Sequence, residues 1–391
     1  MNFENTKRAY LLKSNIELYQ AFYLFRIISN KNLVYLGSRL ALIALKLRFP
    51  ISGIFRRTIF KQFCAGFKKE DSIKVINRLN KLDVKSYMHY ASEGQNSELG
   101  MEFNFKKTIN TISFSKTTNA LPFTVFKATS LGSVSLFKKK NSGVVLNLNE
   151  MAAWGRTIDR IQKCCKYAKK LNVKMLIDAE ESWVQNAIDE IAEDLMEVFN
   201  KEKAYIFTTL QLYRKDRLKY LQELFKKANR KDFSLGIKLV RGAYIEKENK
   251  RSMDLGIPSI ICKSKEATDI NFNNALDYIL PRIEQCKLFL GSHCESSILK
   301  VTEWMKSNDI PNNYSNIWFS QLYGMADHIS FNLAAQGYNV IKYVPYGPVK
   351  EVIPYLIRRA EENTSVRSQT PRELKLIKKE LKRRKLKEYE L

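Results

Sequence analysis

The sequence predicts an α/β protein, a distorted (βα)8 TIM-like barrel preceded by an N-terminal helical region. Eight short runs of apolar and β-forming residues recur from residue 86 onward. Most of these runs are separated by longer stretches whose apolar residues have helical spacing. No run is followed by a GxGxxG or GxxxxGK loop, so an open doubly wound sheet, which could use the same elements, lacks a nucleotide-binding fingerprint.

The predicted strands follow one another at the spacing of a barrel. They occupy residues 86–92, 122–129, 173–179, 204–211, 233–240, 288–293, 317–323 and 340–344. Helical spacing between them is clear at Ile188, Ile191, Leu195 and Val198, which recur every three or four residues. Eight strands with a helix after each are the elements of a (βα)8 barrel.

Residues 1–80 are predicted to form the helical N-terminal region. Within it, residues 33–45 are apolar apart from Ser38 and Arg39, a stretch too short to span a bilayer, and we expect a packed helix. The first residues lack the basic and apolar segments of a secretory signal. We therefore predict a cytoplasmic protein, with a mitochondrial location as the alternative because the first seventy residues are basic.

Composition restricts the classes of partner. The 391 residues include 66 Lys and Arg against 40 Asp and Glu, a net charge of +26. Such a charge attracts polyanions, but there is no zinc finger, RNP-type run or basic region with heptads, and no nucleic-acid partner is expected. The six cysteines form no CxxC pair and the three histidines lie far apart, so we predict a reducing compartment and no metal site.

Polar residues stand at the carboxyl ends of most predicted strands. Asp178, Gln211, Lys238 and His293 follow or end strands three to six, and Lys127 has the matching place on strand two. In a barrel these ends meet at one mouth, where the chemistry of barrel enzymes lies. The pattern predicts a polar pocket that tolerates anions.

The predicted last helix of the barrel carries a second polar group. Tyr355, Arg358, Arg359 and Glu362 share one helical face. Paired guanidinium groups beside a pocket suit a small carboxylate, which each can bind through two hydrogen bonds. Taken alone, the pair is more typical of a solvated basic face.

Four segments together resemble those of FAD-dependent proline dehydrogenases. They are IDAEES at 177–182, KLVRGAY at 238–244, KYVPYG at 342–347 and YLIRRAEEN at 355–363. The resemblance runs from about residue 122 to 363 and includes ATD at 267–269, SH at 292–293 and QLYGM at 321–325. The chain is most similar to the single-function bacterial type. We expect a catalytic barrel over residues 81–370 and a basic C-terminal helix over 371–391.

The resemblance implies an enzyme that oxidises L-proline to Δ1-pyrroline-5-carboxylate with noncovalently bound FAD. Electrons would then pass to a membrane quinone, which implies peripheral contact with the inner membrane. Two alternatives remain open from the sequence. One is another flavin-dependent barrel oxidoreductase acting on a small amino or imino acid, and the other is a basic protein that binds membrane or nucleic acid.

The resemblance also assigns site residues. In the family pattern the arginine pair holds the proline carboxylate, Lys127 adds positive charge, and Glu362 compensates the cations. Lys238 would stabilise reduced flavin, and His293 is either a cofactor contact or a histidine satisfied at a strand end. The full catalytic set is Lys127, Asp178, Tyr343, Tyr355, Arg358, Arg359 and Glu362, and the cofactor-binding set is Gln211, Lys238, Val240, Ala243, Tyr244, Thr268 and His293.

The C-terminal segment carries Leu374, Ile377 and Leu381 on one helical face among many lysines and arginines. An amphipathic basic helix of this kind can lie on an anionic membrane. It can also pack on the folded protein with its polar side in water. The sequence leaves both interpretations open.

Overall fold

The computed structural model describes residues 2–46, 53, 56–90, 97–365 and 369–388. Within them, eight strands form one closed barrel in the order β1 to β8. The strands are β1 (Val84–Tyr90), β2 (Phe123–Lys127), β3 (Lys174–Asp178), β4 (Ile206–Gln211), β5 (Leu235–Val240), β6 (Cys286–Gly291), β7 (Ile317–Leu322) and β8 (Val340–Tyr346).

The predicted barrel is confirmed, and the open doubly wound sheet is wrong. Each predicted strand is present with its ends shifted by at most a few residues. The pairs from β1–β2 to β5–β6 are parallel. Residues 91–92, at the end of the first predicted strand, lie outside the described residues.

Helices precede the barrel and connect its strands. Before β1 lie α1 (Thr6–Ala9), α2 (Asn15–Ile28), α3 (Lys31–Lys46), α4 (Lys61–Phe63) and α5 (Lys69–Asn80). Between the strands lie α6 (Glu98–Ser115), α7 (Val134–Asn141), α8 (Leu148–Lys170), α9 (Ser182–Phe199), α10 (Arg217–Lys231), α11 (Ile245–Leu255), α12 (Lys265–Ile279), α13 (Glu295–Ser307) and α14 (Asp327–Ala334). After β8 follow α15 (Val349–Ser365) and α16 (Gln369–Glu388).

The chain divides into two compact units. The terminal unit consists of Met1–Ser86, His293–Leu299 and Ser320–Leu391, and the central unit consists of Tyr87–Ser292 and Lys300–Phe319. The domain boundaries near residues 80 and 370 stay predictions.

The central unit owes its core to strands that are apolar on both faces. Met175, Leu176 and Ile177 of β3 are all buried, as expected for parallel strands covered by helices. At the start of β2, the Phe123 ring lies 5.1 Å from the ring of Phe289, measured between centroids. This aromatic cluster fills the end of the unit opposite the carboxyl ends of its strands.

In the terminal unit, α16 packs on α1 and α2. Leu376 and Ile377 are buried, and the Arg384 guanidinium donates to the backbone oxygens of Tyr10 and Lys13. The apolar side of this basic helix is therefore covered within its own unit. Of the two interpretations of the C-terminal segment, the structure favours packing on the folded protein.

The expectation for α3 is only partly correct. Residues 31–46 are helical, but Leu33, Leu36, Leu40 and Ile43 are each at least half exposed, from 50% to 57%. The expectation of a packed helix is wrong for this face because an apolar stretch does not reveal how much of it a neighbouring element covers. Within the described residues, no helix is long and apolar enough to cross a membrane.

Candidate active site

A buried ion pair joins the ends of two strands in the central unit. Nζ of Lys238 on β5 lies 2.5 Å from Oδ1 of Asp178 on β3. Lys238 is only 7% exposed, and its ammonium lies 5.7 Å from the ring centroid of Tyr87. Burial opposes the charged form, but attraction to Asp178 and the contact with Tyr87 outweigh burial and raise the pKa of Lys238. The site thus contains a fixed positive charge.

Strand register brings Lys127 to this pair, and a ring contact places Tyr244 beside Lys127. Lys127 is the β2 partner of Asp178 in the ladder, and Nζ of Lys127 lies 6.0 Å from the ring centroid of Tyr244. Four of the predicted residues are therefore grouped at one end of the central unit although they span more than one hundred positions in the sequence.

Gln211 fixes the loop after β5. Its Nε2 donates to the backbone oxygen of Glu180 at 2.7 Å, and its Oε1 accepts from the backbone N–H of Ala243 at 3.2 Å. Both ends of the amide thereby hold backbone that follows a strand. Val240 at the end of β5 and Ala243 in this loop are partly buried. The flavin contacts expected of Gln211, Val240 and Ala243 stay predictions.

Gly242 is required where this loop turns. Its φ of +133° is rarely adopted by other residues, and an added Cβ would overlap the Tyr213 ring. The Tyr213 ring is itself buried. The glycine of the KLVRGAY segment thus allows the loop to approach closely to β4.

Arg241, which lies in the same loop, had no predicted role. Its Nε donates to Oδ1 of Asp269 at 2.6 Å and its Nη1 to Oγ of Ser292 at 2.9 Å. The guanidinium also lies 4.3 Å from the ring centroid of Phe272. Thr268, beside Asp269, is buried and donates to the backbone oxygen of Ser264. The position of Arg241 in a diagnostic segment was the available signal.

Glu180 and Tyr87 were also missed. The Glu180 carboxylate accepts from the backbone N–H of Thr129 at 3.0 Å. Burial raises the pKa of Glu180, while the charge of Lys127 acts in the opposite direction. Glu180 belongs to the IDAEES segment, but Tyr87 lies on a strand that gave no functional signal.

In the terminal unit, β8 and α15 bring the predicted substrate-binding residues together. The rings of Tyr343 and Tyr355 lie 5.9 Å apart between centroids, with their planes at 41°. The Arg359 Cζ lies 5.2 Å from the Tyr355 ring centroid, and Arg358 and Arg359 are both partly buried. Glu362 belongs to the same helix, but its side chain lies outside the described residues.

His293 has a structural contact in the terminal unit. Its Nε2 accepts a hydrogen bond from the backbone N–H of Leu322 at 3.0 Å. This nitrogen is therefore unprotonated, and the contact holds the end of β7. It supports the interpretation of a histidine satisfied at a strand end, and its contact with the cofactor stays a prediction. In the described part of the chain, no cluster of His, Cys, Asp and Glu is placed to hold a metal ion.

Comparison with known proteins identifies the family. The proline dehydrogenase family model matches residues 72–372. The chain is 36% identical over 301 residues to the carbapenem antibiotics biosynthesis protein CarD of Pectobacterium carotovorum, which covers 77% of this chain and 78% of CarD. It is 31% identical over 429 residues to mitochondrial proline dehydrogenase 1 of Dictyostelium discoideum, covering 97% of this chain and 74% of that protein.

A solved structure has the same fold. The chain superposes on proline utilization A (PutA) of Bdellovibrio bacteriovorus with a TM-score of 0.71 at 20% identity. The match covers 90% of this chain and 37% of that protein, so the chain spans little more than a third of its length.

Proposed function

We propose that this chain oxidises L-proline to Δ1-pyrroline-5-carboxylate with FAD as hydride acceptor. The chain belongs to the proline dehydrogenase family and is an oxidoreductase acting on proline. A membrane quinone is the proposed final electron acceptor. The observation that carries the proposal is the buried Lys238–Asp178 pair at the carboxyl ends of β5 and β3, the edge where barrel enzymes carry their chemistry.

The terminal unit supplies groups suited to an imino acid. Arg358 and Arg359 are proposed to bind the proline carboxylate, because a guanidinium offers two parallel donors to it. The rings of Tyr343 and Tyr355 would border the apolar ring of the substrate. Glu362 is proposed to balance the cations, and Lys127, which belongs to the central unit, to add positive charge. Together these groups would fix the substrate in one orientation before reaction.

The residues of the central unit fit a flavin. A bound FAD would supply the acceptor for the hydride that leaves the proline carbon next to nitrogen. The Lys238 ammonium is fixed by Asp178, so it would stabilise developing negative charge without first having to move. At Gly291 an added Cβ would come within 2.9 Å of Cγ1 of Val240, so glycine leaves space along this edge. The guanidinium of Arg241 suits a phosphate oxygen.

Proton balance sets a condition on the substrate. The amine must be neutral when the hydride leaves, because a protonated amine has no lone pair to form the iminium. We assign no residue as the base, and water can accept this proton. The proposed location is the cytoplasm with peripheral contact at the inner membrane, and the mitochondrion is the alternative.

The test is the visible spectrum of the purified protein under anaerobic conditions. We expect a yellow protein whose flavin absorbance is bleached by L-proline. Arg359→Lys keeps the charge but removes the forked donor, so it should retain flavin and require at least tenfold more proline for half-maximal bleaching. Lys226→Arg, at an exposed ion pair with Glu223, is the control and should behave as the wild type.

Two results would contradict the proposal. Flavin that is bleached by another amino or imino acid, but not by proline, would indicate a different oxidoreductase. A colourless protein that does not take up FAD, and that binds DNA with steep salt dependence, would indicate a basic binding protein.

A further inference from the structure

A cavity of about 610 Å³ lies within the terminal unit, and all of its lining residues belong to that unit. Its size falls within the ~300–1,000 Å³ typical of small-molecule sites. Its walls come from α2, α3, α5, α14 and α15. We call it the α2–α3 cavity.

The lining of the α2–α3 cavity is mainly hydrocarbon. The apolar residues along it include Leu24, Ile28, Val34, Ala41, Leu79 and Leu356. Three of the charged residues in its walls, Lys13, Glu17 and Asp327, have partners within the protein. Lys13 lies 3.6 Å from Asp327, which also pairs with Lys342 at 2.8 Å, and Glu17 closes the capping box of α2. An apolar ligand therefore matches the walls better than a polar one.

The surface around the cavity is apolar and basic at once. Ile27 on α2 and Leu33 on α3 line the cavity and are each at least half exposed. Leu36 and Leu40 continue the exposed apolar surface along α3. Arg26 of α2, Lys31 and Arg39 of α3, and Lys61 of α4 add exposed positive charge. Apolar side chains combined with exposed positive charge are typical of surfaces that lie on anionic lipid.

We propose that the α2–α3 cavity receives an acyl chain of an anionic membrane lipid, with the exposed surface of α2 and α3 resting on the lipid head groups. One buried chain gives only weak membrane binding, and basic residues supply the second attraction that stable attachment needs. The C-terminal helix α16 is the less suitable membrane contact, because Leu376 and Ile377 are buried within the unit.

The cavity adjoins the helix that carries the arginine pair. Leu356, Ile357 and Ala360 of α15 line it, and Arg358 and Arg359 lie between them in the sequence. A chain in the cavity would pack against this helix and restrict its motion. Resting on the proposed function, this contact predicts that anionic lipid lowers the proline concentration needed for half-maximal flavin reduction.

Binding is tested without turnover. The full chain is titrated with cis-parinaric acid, a fluorescent fatty acid, and then mixed with vesicles of phosphatidylglycerol and phosphatidylcholine or of phosphatidylcholine alone. We expect saturable binding of the probe, displacement by the anionic vesicles, and sedimentation of the protein with these vesicles only. Because neither readout uses proline, failure here leaves the proposed enzymatic function untouched.

Gly37 offers a variant that fills the cavity. It lines the cavity on α3, and an added Cβ meets nothing within 4 Å, so Gly37→Leu should fold and weaken probe binding at least tenfold. Gly155 on α8 is the matched control, since its Cβ position is also open. Gly155→Leu should bind the probe as the wild type does.

The exposed surface is tested separately. The double variant Leu36→Glu and Leu40→Glu should no longer sediment with anionic vesicles. The control is the double variant Leu99→Glu and Val145→Glu, at exposed apolar residues elsewhere, which should sediment as the wild type does. Equal probe binding by wild type and Gly37→Leu would overturn the proposal. Displacement of the probe by a prenylated quinone but not by anionic lipid would also overturn the proposal, and it would assign the cavity to the quinone. Sedimentation of the protein with neutral vesicles alone would overturn it as well.

Discussion

At the scale of single residues, the candidate site depends on charges held away from water. Lys238 and Asp178 compensate one another, and removal of either leaves a buried charge without a counter-ion. The pair also fixes the position of the ammonium, which a cation near a flavin requires. Its contributions to stability and to function are therefore linked.

Asp178→Asn should destabilise the protein by about 3 kcal/mol, because it leaves the Lys238 ammonium buried and uncompensated. Urea unfolding at pH 7.5 measures this change. Glu181→Gln breaks the Lys247 pair, whose lysine side chain is 56% exposed, and should change the free energy of unfolding by less than about 1 kcal/mol. Equal effects of the two substitutions would show that burial of the Lys238 pair is unimportant.

Gly242→Ala should abolish flavin retention and lower the thermal midpoint, because the loop must move away from the Tyr213 ring. Gly256 also has positive φ, at +63°, but open space at the Cβ position. Gly256→Ala should therefore cost only about 1 kcal/mol. The flavin absorbance of the purified variants and their melting curves distinguish the two. A yellow Gly242→Ala protein with an unchanged midpoint would refute the steric argument.

Lys174 is an unfavourable charge at the aromatic end of the central unit. Burial, with repulsion from Lys287 and Lys203, lowers its pKa to about 8. The unfolded chain therefore binds more protons between pH 8 and 10.5, and stability rises with pH across this window. Lys174→Met should be stabilising at pH 7, by at most ~3 kcal/mol at 1.36 kcal/mol per pKa unit.

The lost attraction between Lys174 and the rings of Phe123 and Trp318 offsets part of that gain, by about 0.5–1 kcal/mol. Thermal melting at pH 7 and pH 10.5 tests whether Lys174→Met raises or lowers the stability of the folded protein. The advantage of the variant should shrink at the higher pH, while the exposed Lys170→Met control should be neutral at both. A variant less stable than the wild type at pH 7 would contradict the prediction.

At the scale of elements, ion pairs attach α16 to the rest of the terminal unit. Glu295 at the start of α13 accepts from Arg372 of α16 at 2.7 Å and pairs with His328 of α14 at 3.1 Å. Partial burial opposes the carboxylate form, but these two hydrogen bonds outweigh it and lower the pKa of Glu295 to about 2. One carboxylate thus connects three helices.

Glu295→Gln should lower stability at pH 7 and lose this effect in acid. A carboxyl whose pKa is depressed on folding stabilises the protein above its unfolded pKa, and this contribution disappears as pH falls from about 4.5 to 2. Chemical denaturation at pH 7, 4 and 2.5 should show the free energy of unfolding of the variant approaching that of the wild type as the pH falls. Glu303→Gln, at an exposed position on the same helix, should match the wild type throughout. A difference as large at pH 2.5 as at pH 7 would exclude the carboxylate as its cause.

At the scale of the whole molecule, the net charge of +26 opposes folding through repulsion among its lysines and arginines. Salt screens this repulsion over about 10 Å at 0.1 M. The charge is part of the membrane proposal, but it also predicts a property of the isolated protein.

Raising NaCl from 10 to 200 mM should raise the thermal midpoint by about 1 °C, the shift expected from roughly 1 kcal/mol in a chain of this size. Scanning calorimetry at both concentrations measures it, and Lys174→Met, with one charge fewer, should show a slightly smaller rise. A midpoint that falls with salt would show that favourable ion pairs dominate over repulsion.

Much of the architecture could be read from local pattern. The apolar runs predicted the eight strands within a few residues, because burial on both faces of a parallel strand leaves a short continuous signature. The residues grouped with Lys238 were found because their segments are diagnostic of a family. Tyr87 was not found, since its strand has the same apolar character as any other strand of the barrel.

The sequence by itself determined the order and type of the elements and the chemical character of the residues at the strand ends. Only the tertiary structure decided which of them meet: the 2.5 Å contact of Lys238 with Asp178, the loop held by Gln211, and the cavity beside α15. The amphipathic helix α16 has its apolar side buried, whereas much of the apolar helix α3 is exposed. The physical reason is that periodicity records which side chains avoid water, whereas the neighbour that covers them is set by residues far away in the chain.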